Sequence, residues 1–257
     1  MKPDSSEWRS SQAYDFISNV TPDALAWEFL RRNPAYQREF ADMQQINAML
    51  NPLPRMNCGR IGGFDFPANP DRPATKQPVY WTPEVDPGVI LLINTPPLLA
   101  DDADIFATLP PAASKRDELG EHLRTLSTAN SCQIALLYGT DPAQPLAAIV
   151  PLDAKASERL SSLDRFIRSS KGGRVPDKRL TSSQRTRLGH MLRALDGRIE
   201  GASHFDIAHA LFGPRFIVAE EWQDSPFRYT TLRLIRDGYK MIEGGYRKLL
   251  RFRRRDA

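Results

Sequence analysis

The residues best equipped for chemistry follow Ser225-Pro226, where Arg228, Tyr229, Thr230, Arg233, Arg236 and Lys240 alternate with apolar side chains. This is the chemistry of polyanion recognition. A guanidinium can meet a guanine edge or a phosphate with two parallel hydrogen bonds, and hydroxyls of Thr and Tyr add base or backbone contacts. Arg215 stands just upstream, and the chain ends near Arg253, Arg254 and Arg255. That tail is either a solvated helix end or a clamp laying guanidiniums along phosphates, and neither form reads sequence. A basic helix that meets an acidic protein would carry the same residues, so this alternative stays open.

Other chemistries fit less well. Asp101, Asp102 and Asp104, with Glu84 and Asp86, could in principle hold a magnesium ion for a nuclease. Acids beside Pro-rich turns more often face water or cap a helix. The four histidines do not stand at metal-ligand spacing with the cysteines, and Cys58 and Cys132 lie far apart without a Cys-x-x-Cys pattern. Gly59-Arg60-Ile61-Gly62-Gly63 lacks the Gly-Lys-Ser/Thr ending of a phosphate loop, and no Gly-x-Ser-x-Gly elbow occurs. The expectation is a protein that is not an enzyme and needs no cofactor or metal.

Three helices must position the basic residues. Thr181-Ser182-Ser183-Gln184 is a capping box, behind which Leu188, Met191, Leu192, Leu195 and Ile199 form an apolar stripe, with Gly197 and Gly201 closing the run. Arg185, Arg187, Arg193 and Arg198 are expected on the opposite face. A short helix follows, capped by Ser203 with Asp206 three residues on and stopped by Gly213-Pro214. Ala208 at its close-packed position suits a helix-turn-helix, though it could equally be core. The third helix starts at Ser225-Pro226, with Leu232, Ile235, Tyr239, Ile242, Tyr246 and Leu249 as its inward stripe. It is the candidate reading helix.

Upstream, Thr21-Pro22-Asp23 starts a helix with Leu25, Ala26, Phe29 and Leu30 on one side and Arg31-Arg32 at its end, where cations oppose the dipole. Asn33-Pro34 stops it and starts another, carrying Tyr36, Phe40, Met43 and Asn47 at helical steps, widened by Ile46, Met49 and Leu50. Trp8, Tyr14, Phe16 and Trp27 make either a small aromatic core, the favoured reading, or a docking face. Between Asn51 and Pro97 prolines exclude long helices. Val79-Tyr80-Trp81 and Val89 to Ile93 read as strands around Asp86-Pro87-Gly88, and Gln133 to Tyr138 with Leu146 to Val150 reads as a second hairpin. A helix over Asp153 to Ser170 places Leu160, Leu163, Phe166 and Ile167 inward, and Lys171 to Pro176 is the break before the basic module.

With 257 residues, 41% of them hydrophobic, the chain can fill a core. No apolar run approaches a membrane span, and the first residues lack the apolar core of a secretory signal, so the cytoplasm is the expected compartment. The net charge of +4 hides an asymmetry. From Lys155 onward 23 basic and 12 acidic residues leave +11, against −7 for residues 1–154. The positive half attracts polyanions, whereas the acidic half is repelled by phosphates and suits a protein partner.

Leu180 to Gln184, Met191 to Gly197, Ile207-Ala208 with Leu211-Phe212-Gly213, and Gly244 to Leu250 together resemble a proteobacterial domain-of-unknown-function family. That family includes the FseA-type excision activators and QseM-type antiactivators of integrative and conjugative elements. Trp8-Arg9-Ser10-Ser11, Tyr14 and Ala26 to Tyr36 likewise look like the transcriptional-regulator-like segment preceding this domain in the activator form. The resemblance implies a helix-turn-helix regulator that binds double-stranded DNA and activates excision and transfer genes, with shorter relatives silencing the activator. RNA polymerase or an antiactivator is then an expected partner, and a homodimer is open, since no heptad stretch demands one. The rival is an antiactivator or adaptor whose basic domain meets an acidic protein.

The expected fold is α+β and mainly helical, with a small antiparallel sheet in the middle and a C-terminal helix-turn-helix domain. The expected divisions are 1–60, helical and regulator-like; 61–176, proline-rich with a small β region and a following helix; and 177–257, basic and DNA-binding.

Overall fold

Each helix of the basic module begins as its cap chemistry requires. In the computed structural model Thr181 Oγ1 accepts from Gln184 N at 3.2 Å while Thr181 N donates to Gln184 Oε1 at 2.8 Å, closing the capping box at the start of a helix over Ser182–Ile199. Ser203 and Asp206 do the same for His204–Phe212, and Ser225 Oγ accepts from Phe227 N at the start of Pro226–Ile242. The structure describes residues 3–49, 63–64, 66–97, 109, 112–125, 131–171, 175, 177, 179–219 and 221–251. Helices are numbered α1 (Pro22–Leu30), α2 (Pro34–Met49), α3 (Ala156–Ser170), α4 (Ser182–Ile199), α5 (His204–Phe212) and α6 (Pro226–Ile242); strands are β1 (Ile90–Asn94), β2 (Ala112–Arg116), β3 (Gly120–Thr125), β4 (Gln133–Leu137) and β5 (Leu146–Ile149). The fold is α+β and mainly helical.

The chain divides into two compact units. The first combines residues 1–54, 69–74 and 180–246; the second combines 55–68, 75–179 and 247–257. Packing in the first unit thus joins segments more than a hundred residues apart, 1–54 and 180–246. In the first unit α1 is buried on every side, and Trp8, Tyr14 and Trp27 are core residues, as the simpler reading of the aromatic N-terminus expects. Arg31 and Arg32, read from the sequence as cations at the end of α1, are buried too. Arg32 donates from Nε and Nη2 to the two carboxylate oxygens of Asp196 at 2.6 and 2.8 Å, and Tyr14 Oη adds a third bond to Asp196 at 2.6 Å. Glu28 pairs with both arginines.

Small residues set how closely the helices pack. A Cβ on Gly238 would lie 3.2 Å from Met191 O and 3.4 Å from Leu195 Cβ, so α6 crosses α4 at that glycine. The buried side of α6 is consequently Thr231, Leu234, Ile235, Gly238 and Ile242. This corrects the expected stripe. Leu232 is only partly buried and Tyr239 is exposed, because the seam follows the closest backbone approach, which shifts the inward face by about one residue. Gly197 likewise lies inside α4, where a Cβ would meet Ile207 and Trp8 at 3.0 and 3.1 Å, and Ile199 is exposed. Gly201, at φ +80°, is the residue that ends the run.

In the second unit the strands form one sheet in the order β2-β3-β4-β1-β5. β2–β3, β3–β4 and β1–β5 are antiparallel, but β1 and β4 are parallel, with Ile90 opposite Ile134. The sheet is therefore mixed, where an antiparallel one was expected. The expected hairpin of 133–138 with 146–150 does not form, because β1 lies between β4 and β5. An unbroken apolar run such as Val89 to Ile93 satisfies itself best as an inner strand with a neighbour on each edge. The connection after β4 spans β1, held by paired bonds between Asn94 and Asp141 at 2.8 and 2.9 Å.

Val79-Tyr80-Trp81 contributes one bridge, Phe64 to Trp81, in place of a strand, and the Gln133 carboxamide occupies the Trp81 backbone with two bonds of 2.8 Å. β2 and β3 were not anticipated. α3 covers the sheet with Phe166, Leu163 and Ile167 against Ile90, Leu92, Ile134 and Leu136. Leu160, expected inward, is exposed.

Candidate nucleic-acid interface

Opposite the buried seam of α6 stand Tyr229, Arg233, Arg236 and Lys240, all exposed. Their steps of four, three and four residues keep them within a sector of roughly 60°. They form one column along the helix. The Arg236 side chain is 64% exposed and reaches Asp237 only at 3.5 Å, while Tyr229 is 60% exposed. Arg233 and Lys240 make no ion pair with a described residue, so their charge is available to a ligand.

The flanking residues are placed differently. Arg228 is partly buried, 5.7 Å over the Tyr229 ring and within 3.5 Å of Gln223 O. Thr230 donates its hydroxyl to Pro226 O at 3.0 Å, a back-bond inside the helix that occupies the proton base reading would use. Arg215 is exposed on a 3-10 turn, Pro214–Phe216. Arg253, Arg254 and Arg255 lie outside the described residues, as do Asp101, Asp102, Asp104, Cys58 and residues 59–62. Among the described residues no three acidic, His or Cys side chains are grouped to hold a metal.

The arginines of α4 do not form the outward basic face that was expected. Arg193 is buried and donates to Trp8 O and Arg9 O at 3.1 and 2.9 Å and to Ala210 O at 3.2 Å. Its burial pushes the guanidinium pKa down. Arg185 binds Ile17 O and Val20 O, and Arg198 binds Ala202 O. Only Arg187 stays near the column, bonded to Asp237 at 2.6 Å. Asp237 is thus an acid on the flank of the basic column, and sequence reasoning missed it. The buried role of Asp196 was also missed, although it stands four and eight residues after Leu192 and Leu188, in the apolar stripe itself.

Burial alone would lower the pKa of Arg32, but the charge and hydrogen bonds of Asp196 prevail and raise it. Arg32 therefore keeps its charge although it is buried. Turn lengths separate two helix pairs. α4 and α5 are joined by Glu200–Ser203, whereas 213–225 separate α5 from α6. The short turn thus lies between α4 and α5, one helix earlier than a helix-turn-helix ending in the candidate reading helix would require.

Two family models match the chain. A T6SS transcription factor DNA-binding domain model matches residues 149–251, and a proteobacterial transcriptional regulator-like domain model matches residues 7–60. The first match takes in α3 as well as α4 to α6. No curated protein matches. Together they support a DNA-binding transcriptional regulator, with DNA as its partner. No described helix is long and apolar enough to cross a membrane.

Proposed function

We propose that α6 reads double-stranded DNA, with Arg233 and Arg236 at base edges or phosphates and Tyr229 and Lys240 in the same column. Arg228, Thr230 and Arg215 serve the flanks, and Arg253 to Arg255 grip the backbone. The observation that carries this reading is the single exposed column directly opposite the seam against α4. A helix with one packed side and one cationic side suits the major groove. No cofactor takes part, the cytoplasm is the working compartment, and 1–60, 61–176 and 177–257 are read as successive modules of the sequence.

Duplexes selected by the wild-type chain from a random-sequence pool at moderate salt supply the test. Arg233→Ala with Arg236→Ala should weaken binding to them by about a hundredfold, from two charge-assisted contacts. Intact DNA affinity with lost capture of an acidic protein would instead establish the adaptor reading.

A second reading has one observation in its favour: the four-residue turn Glu200–Ser203 would make α5 the reading helix. The exposed side of α5 offers Asp206 and His209 and no Arg or Lys, so α6 is preferred. Loss of selectivity in His209→Ala with none in the arginine variants would reverse that preference.

The regulated genes follow from family likeness. Resemblance to the FseA and QseM family supports activation of excision and transfer genes of a mobile element, with RNA polymerase or an antiactivator as protein partner and a homodimer on two-fold operators. The match to a T6SS transcription factor DNA-binding domain favours a different gene set. A genome-wide map of bound sites decides between them.

A further inference from the structure

Asn33 connects the ends of two helices. Its Oδ1 accepts from Ala35 N at 2.7 Å and Tyr36 N at 3.3 Å, capping the start of α2, while its Nδ2 donates to Ile242 O at 2.7 Å, at the last residue of α6. One carboxamide thereby satisfies orphan groups of both ends. Neither an acid nor a hydroxyl could do both: a carboxylate has no donor, and a serine lacks the reach. The same short stretch is fixed on its other side, since Arg32 holds Asp196 of α4 at 2.6 and 2.8 Å. The segment Arg32-Asn33 therefore ties down both helices whose crossing at Gly238 orients the basic column.

We infer that Asn33 is a positioning residue for DNA reading: the N-terminal regulator-like segment sets the angle of α6 and so belongs to the reading apparatus. This rests on α6 being the reading helix. Phosphate contacts tolerate small helix rotations, whereas bidentate base contacts do not. Loosening the tie consequently affects selectivity before it affects general affinity.

The experiment uses the full chain and two probes, the selected duplex and its scrambled counterpart at one salt concentration. Asn33→Ser and Asn33→Asp both retain the cap of α2 and lose the bond to Ile242. Each should lower the ratio of selected to scrambled affinity by about tenfold, with scrambled-duplex affinity, salt slope and melting temperature near wild type. A ratio unchanged in the serine variant, or equal losses on both duplexes, overturns the inference. Hydrogen exchange on the wild-type chain adds a measurement independent of variant folding. Binding the selected duplex should slow exchange at Ala35 and Tyr36 together with the α6 amides, and protection confined to α6 overturns the inference too. Failure of the arginine variants to lose DNA would instead remove the underlying reading.

Discussion

At the scale of single residues, charge is used in two opposite ways. Buried charge holds the helices together: Asp196 receives Arg32 twice and Tyr14 once in a site closed to water. Asp196→Ala leaves the Arg32 guanidinium buried without its main counter-charge and should cost about 3–5 kcal/mol, read as a lower denaturant midpoint. Tyr14→Phe removes one bond to the same carboxylate and should cost about 1–3 kcal/mol. Exposed charge behaves otherwise. Asp237 takes Arg187 at 2.6 Å and touches Arg236 at 3.5 Å beside the cationic column. Asp237→Asn should tighten binding to any duplex several-fold while changing stability by less than about 1 kcal/mol, since partly exposed pairs contribute little. Weaker DNA binding by that variant would mean that Asp237 orients the arginines.

At the scale of elements, the α4–α6 crossing depends on a missing side chain. Gly238→Leu forces a four-carbon side chain against Met191 O and Leu195, and should cost about 1–3 kcal/mol through overpacking. It should also impair selectivity, as a displaced reading helix requires. His190 on α4 lies edge-on to Phe212 of α5 at 6.1 Å, and burial, with the nearby Arg193 charge, lowers its pKa. The folded chain thus disfavours the protonated ring relative to the unfolded one. Stability is greatest above the unfolded value of about 6.5 and falls as pH drops from there toward the folded value. Denaturant midpoints between pH 7.5 and 5 should show this loss in the wild type and a smaller one in His190→Gln. Equal slopes would remove His190 as its source.

At the scale of the molecule, the first unit joins residues 1–54 to residues 180–246, which are far apart in sequence. A fragment holding only 177–257 retains α4 to α6 but lacks Arg32, Tyr14, Trp8 and Asn33. It should fail to unfold cooperatively and lose selective DNA binding, whereas adding residues 1–76 in trans should restore both. A cooperative, selective fragment would show that the N-terminal segment is dispensable. Removing Arg253 to Arg255 should weaken all duplexes alike and flatten the salt dependence, by about one unit of slope for each phosphate no longer neutralised.

The sequence by itself determined the helix starts, the aromatic core of the N-terminal segment and the existence of a cationic helix after Ser225. Capping, proline placement and apolar periodicity act over three or four residues, so they are written locally. That Arg233 and Arg236 fall outside the apolar stripe was legible for the same reason, while the column they share with Tyr229 and Lys240 was not singled out. Tertiary structure decided which arginines face outward. Arg185 and Arg193 looked no different from Arg233 as letters, yet carbonyls from residues more than 160 positions away draw them inward. It also decided the mixed sheet and the rotation of α6, because an inner strand and a glycine crossing are defined by partners distant in the chain, and local propensity carries no record of them.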